Sequence, residues 1–417
     1  MLEDKSLESH GKLCRLHDAV PPNTTFLPNL RILEVYELGR YFNAPGVYEQ
    51  KLANVARMLL SPRLIDVYIG PEVAAAECIL HRLPDVCPEL RHLQSFDWPP
   101  LAYGLIGNLP RLQSFHFEDD ILPPITRMQL ENSTTLTSLG LLPICLEPGP
   151  WTFDPTVAFS ALTSLTIEDI SGDTVVEHVA SFLRLLSIKP IQTLDLKFDL
   201  TLSYRVLDVS SLNEIISVVG TFRSLSNLAL RSWSIGDPRE LSDNQQEVNL
   251  SPLLRLHGLK SARLQVAGLE RSLNDESIAK LTKAWPRLQR FCFSQGRRSR
   301  MKPVGLGCLA LFALHCPLLT SLDLELDATL APEQVPPAAR TEERISLNLD
   351  GSLISRTSWA EVAAYISRVY PRAQVKMDDR RHKLHKDQVE LWGRVIELVP
   401  VISQARVEER MRVLKQT

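Results

Sequence analysis

The stretch Cys316-Pro317-Leu318-Leu319-Thr320-Ser321-Leu322-Asp323-Leu324-Glu325 sets three leucines in the order L-x-x-L-x-L, and variants of it recur along the 417 residues. The copies begin with Leu30, Leu33, Val35; Leu64, Val67, Ile69; a third on Leu90 and Leu93 that is imperfect because Ser95 takes the last tooth; and Leu112, Phe115, Phe117. Leu136, Leu139, Leu141; Leu162, Leu165, Ile167; Ile191, Leu194, Leu196; and Leu225, Leu228, Leu230 follow. A weak copy on Leu259, Ala262, Leu264 precedes Leu288, Phe291, Phe293 and Leu319, Leu322, Leu324. Arg344 to Leu349 reads as a further strand, and Tyr370 to Met377 as a degenerate last copy. First teeth lie 22 to 34 residues apart. A repeat of this length cannot bury its own apolar face, so the copies must stack on one another and share a core.

Within a copy, the last two teeth alternate with polar residues, which marks a short strand with one buried face. Proline stands two residues before the first tooth at Pro28, Pro62, Pro88, Pro110, Pro286 and Pro317, where it cannot donate a ladder bond and so punctuates the strand start. Between strands the period shifts toward 3.6. Ala53–Leu60, Thr174–Leu186, Leu212–Val219, Asp275–Trp285, Leu306–His315 and Trp359–Val369 read as helices, with Asp275 as an N-cap. The short gap from Leu90 to Leu112 leaves room for a turn or a 3₁₀ segment. Glu147–Trp151, Gly236–Asn249 and Ala331–Pro337 read as surface loops. The expected fold is an α/β leucine-rich-repeat solenoid: a curved horseshoe with a parallel concave sheet, a helical convex side and a helical C-terminal cap. Its divisions are a short N-terminal cap at 1–26, the repeat array at 27–377 and the cap or tail at 378–417. In that tail, Val389, Leu391, Trp392, Val395 and Leu398 form an apolar stripe, with a break expected at Pro400.

The net charge of −3 argues against a nucleic-acid binder driven by bulk electrostatics. No run approaches the roughly 18 to 20 apolar residues of a membrane span, and the polar N-terminus lacks the apolar run of a signal peptide. Seven cysteines at irregular spacing read as reduced thiols of a cytoplasmic or nuclear protein. Neither a catalytic constellation, a cofactor loop nor a zinc spacing is present, so the chain reads as no enzyme, with no metal and no cofactor. The basic run Arg297 to Lys302 reads as a solvated loop.

The order P-x-L-x-x-L-x-L, with Cys or Leu before the proline (Cys87-Pro88-Glu89-Leu90, Leu109-Pro110-Arg111-Leu112, Cys316-Pro317-Leu318-Leu319), resembles the leucine-rich part of F-box proteins, in texture the large basidiomycete fungal family. The resemblance covers Leu27 to about Met377. It implies an intracellular substrate receptor of a ubiquitin ligase, whose F-box docks on the adaptor of a cullin-type ligase and whose repeats hold a protein substrate. The F-box itself is not visible, and Leu13–Val20 reads as the linker that would follow one. The second reading is a non-catalytic scaffold or regulator with no ligase link.

In either case the expected partner is a protein on the concave face. Strand alternation turns Tyr36, Tyr68 and Phe96 outward on neighbouring strands, with His116 beyond them, as exposed aromatic groups suited to partner contact. Further along, Lys197, Arg231 and Arg263 fall on successive strands as a basic stripe for an acidic or phosphorylated partner.

Overall fold

A computed structural model describes residues 27–35, 58–70, 76–96, 98, 102, 104–118, 122–142, 146, 153–171, 173–199, 209–233, 247–266, 269–293, 304–334, 343–377 and 386–416. The N-terminal segment, Tyr36, the basic run after Phe293, the loop around Pro148 and most of the one after Gly236 lie outside these residues. The chain forms two compact units, Met1–Glu168 and Asp169–Thr417.

Both units are stacks of leucine-rich repeats in an α/β solenoid architecture. In the first, β1 (Ile32–Val35), β2 (Asp66–Ile69), β3 (His92–Ser95), β4 (Ser114–Phe117), β5 (Ser138–Leu141) and β6 (Ser164–Ile170) pair in chain order, all parallel. The register aligns the sequence teeth one to one: Leu33, Val67, Leu93, Phe115, Leu139 and Leu165 form one buried row. The next row is Val35, Ile69, Ser95, Phe117, Leu141 and Ile167. Ser95 is therefore a true, fully buried member of its row. Three residues on, the buried indole of Trp98 packs edge-on against Phe115 and Phe117, at 5.4 and 6.0 Å between ring centres.

In the second unit β7 (Thr193–Asp199), β8 (Asn227–Trp233), β9 (Ser261–Gln265), β10 (Arg290–Phe293), β12 (Ser321–Leu324), β14 (Ile345–Asn348) and β16 (Ala373–Lys376) pair the same way. Short strands β11 (Val304–Gly305), β13 (Leu326–Ala328) and β15 (Leu353–Ile354) make a second parallel sheet. The weak copy holds its place: Ala262 sits between Leu228 and Phe291 and is buried like them. Arg344–Leu349 and Tyr370–Met377 supply β14 and β16, as their sequences suggest.

Where a proline stands two residues before the first tooth, it has a sharper role than punctuation. The first tooth donates its amide to the carbonyl three residues back, as from Leu64 to Ser61, Leu90 to Cys87, Leu112 to Leu109, Leu288 to Trp285 and Leu319 to Cys316. Proline thus occupies the second position of a β-turn, where its fixed φ is already the required one. The residue before it is pushed out of the helical region. Trp285, Cys316 and Tyr370 accordingly sit at φ −117°, −120° and −128° and end their helices. Each is buried, as is Cys87. The cysteines preceding proline are thus helix-end core residues.

Spacers hold α1 (Ala76–Val86) and α2 (Pro124–Asn132) in the first unit. The second holds α3 (Asp173–Leu186), α4 (Val209–Val219), α5 (Asp275–Ala284), α6 (Cys308–His315), α7 (Trp359–Val369) and α8 (Lys386–Gln416). The gap from Leu90 to Leu112 contains a 3₁₀ turn at Ile106–Asn108, as its length allows. Two expectations are corrected. The cap of α5 is Asn274, not Asp275: Asn274 and Ser277 exchange side-chain to backbone bonds in a capping box. Asp275 instead accepts the Gly305 amide at 2.9 Å, tying α5 to the small sheet. Nor does Pro400 break the last helix, because α8 runs through it. The stripe of α8 buries Leu391, Trp392, Val395 and Val399, with Val389 and Leu398 only half-buried. The Trp392 indole donates to the Ser352 carbonyl at 2.9 Å, and Arg406 reaches the Ala364 carbonyl and the Ser367 hydroxyl of α7.

Leu165 and Leu322 are both completely buried in shared rows. Leu165→Asp or Leu322→Asp puts an unpaired carboxylate there and is expected to cost at least about 4 kcal/mol. Chemical denaturation followed by circular dichroism checks this; a variant with near-wild-type stability would contradict the register.

Candidate functional site: the helix-free face of the two units

In every repeat the residues between the teeth point away from the core. In the first unit these are Glu34, Tyr68, Gln94, His116, Gly140 and Thr166 in one row. Tyr68 and Phe96 are half-buried and meet edge to face at 5.9 Å, Phe96 lying just beyond the end of β3. Sequence reasoning thus names two residues that touch; Tyr36 falls outside the described residues. Next along the face, Glu118 accepts a hydrogen bond from the Gln94 side-chain amide at 2.8 Å. His116 Nε2 stands 3.4 Å from Glu118 Oε1 and 3.8 Å from Glu168 Oε1. The imidazole can lie there because its cross-strand neighbour is Gly140: a Cβ at that position would run into the His116 ring. Glycine inside a strand often marks such a close approach.

In the second unit a shallow depression of about 360 Å³ crosses five strands, β7 to β10 and β12. Its charged lining is Asp195, Arg231, Arg263, Arg290 and Asp323, and Cys292 also lines it. The register places Asp195, Ala229, Arg263, Cys292, Asp323, Asn348 and Lys376 in one row. Lys197, Arg231 and Gln265 make the row above. The three basic residues on β7 to β9 therefore do not share a row: Lys197 and Arg231 are direct partners, while Arg263 lies opposite Ala229. Arg231 also reaches down to Asp195 with two nitrogens, one of these bonds being 3.0 Å long, in the fork geometry that a guanidinium offers a carboxylate. Arg263 remains exposed. Lys197 is not part of the depression's lining.

Strand alternation turns Asp323 outward between Leu322 and Leu324, but only the strand register shows that it meets Cys292 and lies one strand from Arg290. The Cys292 thiol accepts from the Gln265 amide at 3.3 Å and donates to Asp323 Oδ2 at 3.4 Å. Burial, followed by the negative charge of Asp323, pushes its pKa up to about 12. Burial likewise pushes the Cys87 and Cys316 thiols up to about 12. A thiol so raised stays protonated near neutrality and is a poor nucleophile. Among the described residues no group of three or more His, Cys, Asp and Glu side chains is placed to hold a metal ion, and no helix is long and apolar enough to cross a membrane.

No protein-family model matches the chain, and no curated protein does. Among solved structures it is similar to a chain in the crystal structure of the Rad7 and Elc1 complex in yeast. That match has 16% identity and a TM-score of 0.37, and covers 72% of this chain and 77% of the other.

Two outcomes follow from this face. Gly140→Ala forces the His116 ring aside and is expected to cost about 1–2 kcal/mol, with partial recovery in the double variant carrying His116→Ala. Urea titrations of the three proteins measure the coupling, and additive losses would place the ring elsewhere. The raised thiols also set a pH dependence. Thiols of the unfolded chain ionise from about pH 8.5, whereas Cys87, Cys292 and Cys316 hold their protons to about 12. The unfolded state therefore binds fewer protons in that window, and stability is expected to fall as pH rises through it. Melting temperatures from pH 8 to 11, compared with a variant carrying Ser at the three positions, report the effect as a shallower slope in the variant.

Proposed function

We propose that this chain is a protein-recognition module, the substrate-binding part of an F-box-like ubiquitin-ligase receptor acting in the cytoplasm or nucleus. The observation supporting recognition is the depression of the second unit, where outward-facing polar and charged side chains from five strands of distant sequence converge above the buried teeth. Such a surface is held rigidly by the repeats beneath it, so little ordering cost remains for binding. The mechanism is positioning: the face holds a target while a separate module presents it to the ligase. The chain itself performs no chemistry in this reading. The ligase assignment draws on the resemblance of the P-x-L-x-x-L-x-L copies to F-box-associated repeats.

Affinity capture of the full chain from extract, probed for the ligase adaptor and cullin, tests the assignment. Recovery of both, together with a client protein whose capture falls several-fold on Arg263→Glu, is the expected result. Reproducible clients without adaptor or cullin would remove the ligase link and leave a scaffold. Clients whose capture ignores substitutions across the face would overturn recognition through it.

A further inference from the structure

The charges of the depression do not cancel. Its lining holds three guanidinium groups and two carboxylates. Arg231 and Asp195 engage each other, and Asp323 receives the Cys292 thiol. Arg263 and Arg290 are exposed and no ion pair joins either to a described residue, though Arg263 lies against the Cys292 thiol and partly offsets its raised pKa. On the two strands flanking Arg290, Ser261 and Ser321 are half-buried and line the same depression.

Their placement is as informative as their charge. Arg290 is opposite Ser261, and Cys292, two residues later, is opposite Arg263. The two arginines are thus diagonal across one strand gap. With strands about 4.8 Å apart and two residues spanning roughly 6.6 Å, their Cα atoms are separated by about 8 Å. An extended peptide presents alternate side chains on one side at roughly 6.6–6.8 Å, a difference that the long arginine side chains absorb. Asp323 closes one flank of the pair and Asp195 the other. Asp195 is already engaged by Arg231, so it is the Asp323 side that disfavours a continuous polyanion such as a nucleic acid and favours a ligand whose negative charge is confined to two neighbouring groups.

We propose that the depression of the second unit binds an extended acidic peptide segment of a partner protein, with two carboxylate side chains two residues apart, one on Arg263 and one on Arg290. The inference rests on the reading that this face recognises protein, and narrows it to one partner chemistry. Asp323 disfavours a further carboxylate over β12, where it would meet like charge.

The test is fluorescence anisotropy with the full chain and labelled, end-blocked peptides at low salt. The probe has a Glu-Ala-Glu core in neutral flanks; the controls have Gln-Ala-Gln and Glu-Ala-Ala-Glu cores. Saturable binding of the probe, weakened by salt and roughly tenfold weaker for each of Arg263→Gln, Arg290→Gln and the Gln peptide, is expected. Arg184→Gln, on α3, should leave it unchanged. Both substituted arginines are exposed, so melting temperatures should match wild type and keep the comparison clean. Absence of saturable binding, equal binding of the Gln peptide, or no loss in the double Arg263→Gln, Arg290→Gln variant would overturn the proposal. Tight binding of a phosphoserine peptide with none of the Glu probe would overturn the carboxylate assignment. Failure here alongside client capture that depends on the face would leave recognition standing and remove only this partner chemistry.

Discussion

In most of the described repeats one carbonyl is lent to two successive amides of the next, and the rest of the fold follows from that handover. The Arg31 carbonyl takes the amides of Ile65 and Asp66, Ile65 takes those of Arg91 and His92, and Arg91 those of Gln113 and Ser114. In the second unit Gln192, Ser226, Lys260 and Gln289 repeat the pattern. The bond lies at the strand entrance, so it fixes register before the first ladder residue. A one-residue slip would exchange every tooth with its polar neighbour. The leucine rows provide the energy for stacking, but this entrance bond decides which residues form each row, and hence which side chains become neighbours on the outer face.

Much of the fold was legible because it is written in local period. Leucine teeth at three and two residues, with proline two residues earlier, locate strands wherever the copy is recognisable, even at Ala262. Ser95 looked like a defect because a hydroxyl is a poor core group. It is nonetheless buried, and Trp98 beyond the strand brings an indole to the neighbouring phenylalanines. Local reading failed where a competing signal was present. α1 contains Pro84 and α2 begins with Pro124, so proline hid two helices. Asp275 and Asn274 are both good caps, and only the contact with Gly305 shows which one is occupied elsewhere.

The candidate site was much less legible. Strand alternation sufficed to turn Tyr68, His116, Arg231 and Arg263 outward. It does not say that Arg231 will turn to Asp195, 36 residues earlier, or that Cys292 will sit between Gln265 and Asp323. Those contacts depend on spacer lengths summed over whole repeats. Gly140 carried a signal that could have been used, since a glycine between two buried leucines of a strand announces a close neighbour.

The spacers between first teeth range from 22 to 34 residues, yet the strands they join remain in step. Length variation is absorbed on the helix side, where α-helices, 3₁₀ turns and loops replace one another. The face and its backing are therefore separable in descent: insertions and deletions between strands can accumulate without moving any outer residue relative to its neighbours. Gain or loss of a whole repeat would instead displace one part of the face from another by a single strand spacing. A lineage of such chains has two independent ways to change, a gradual one that preserves what is recognised and an abrupt one that resets it.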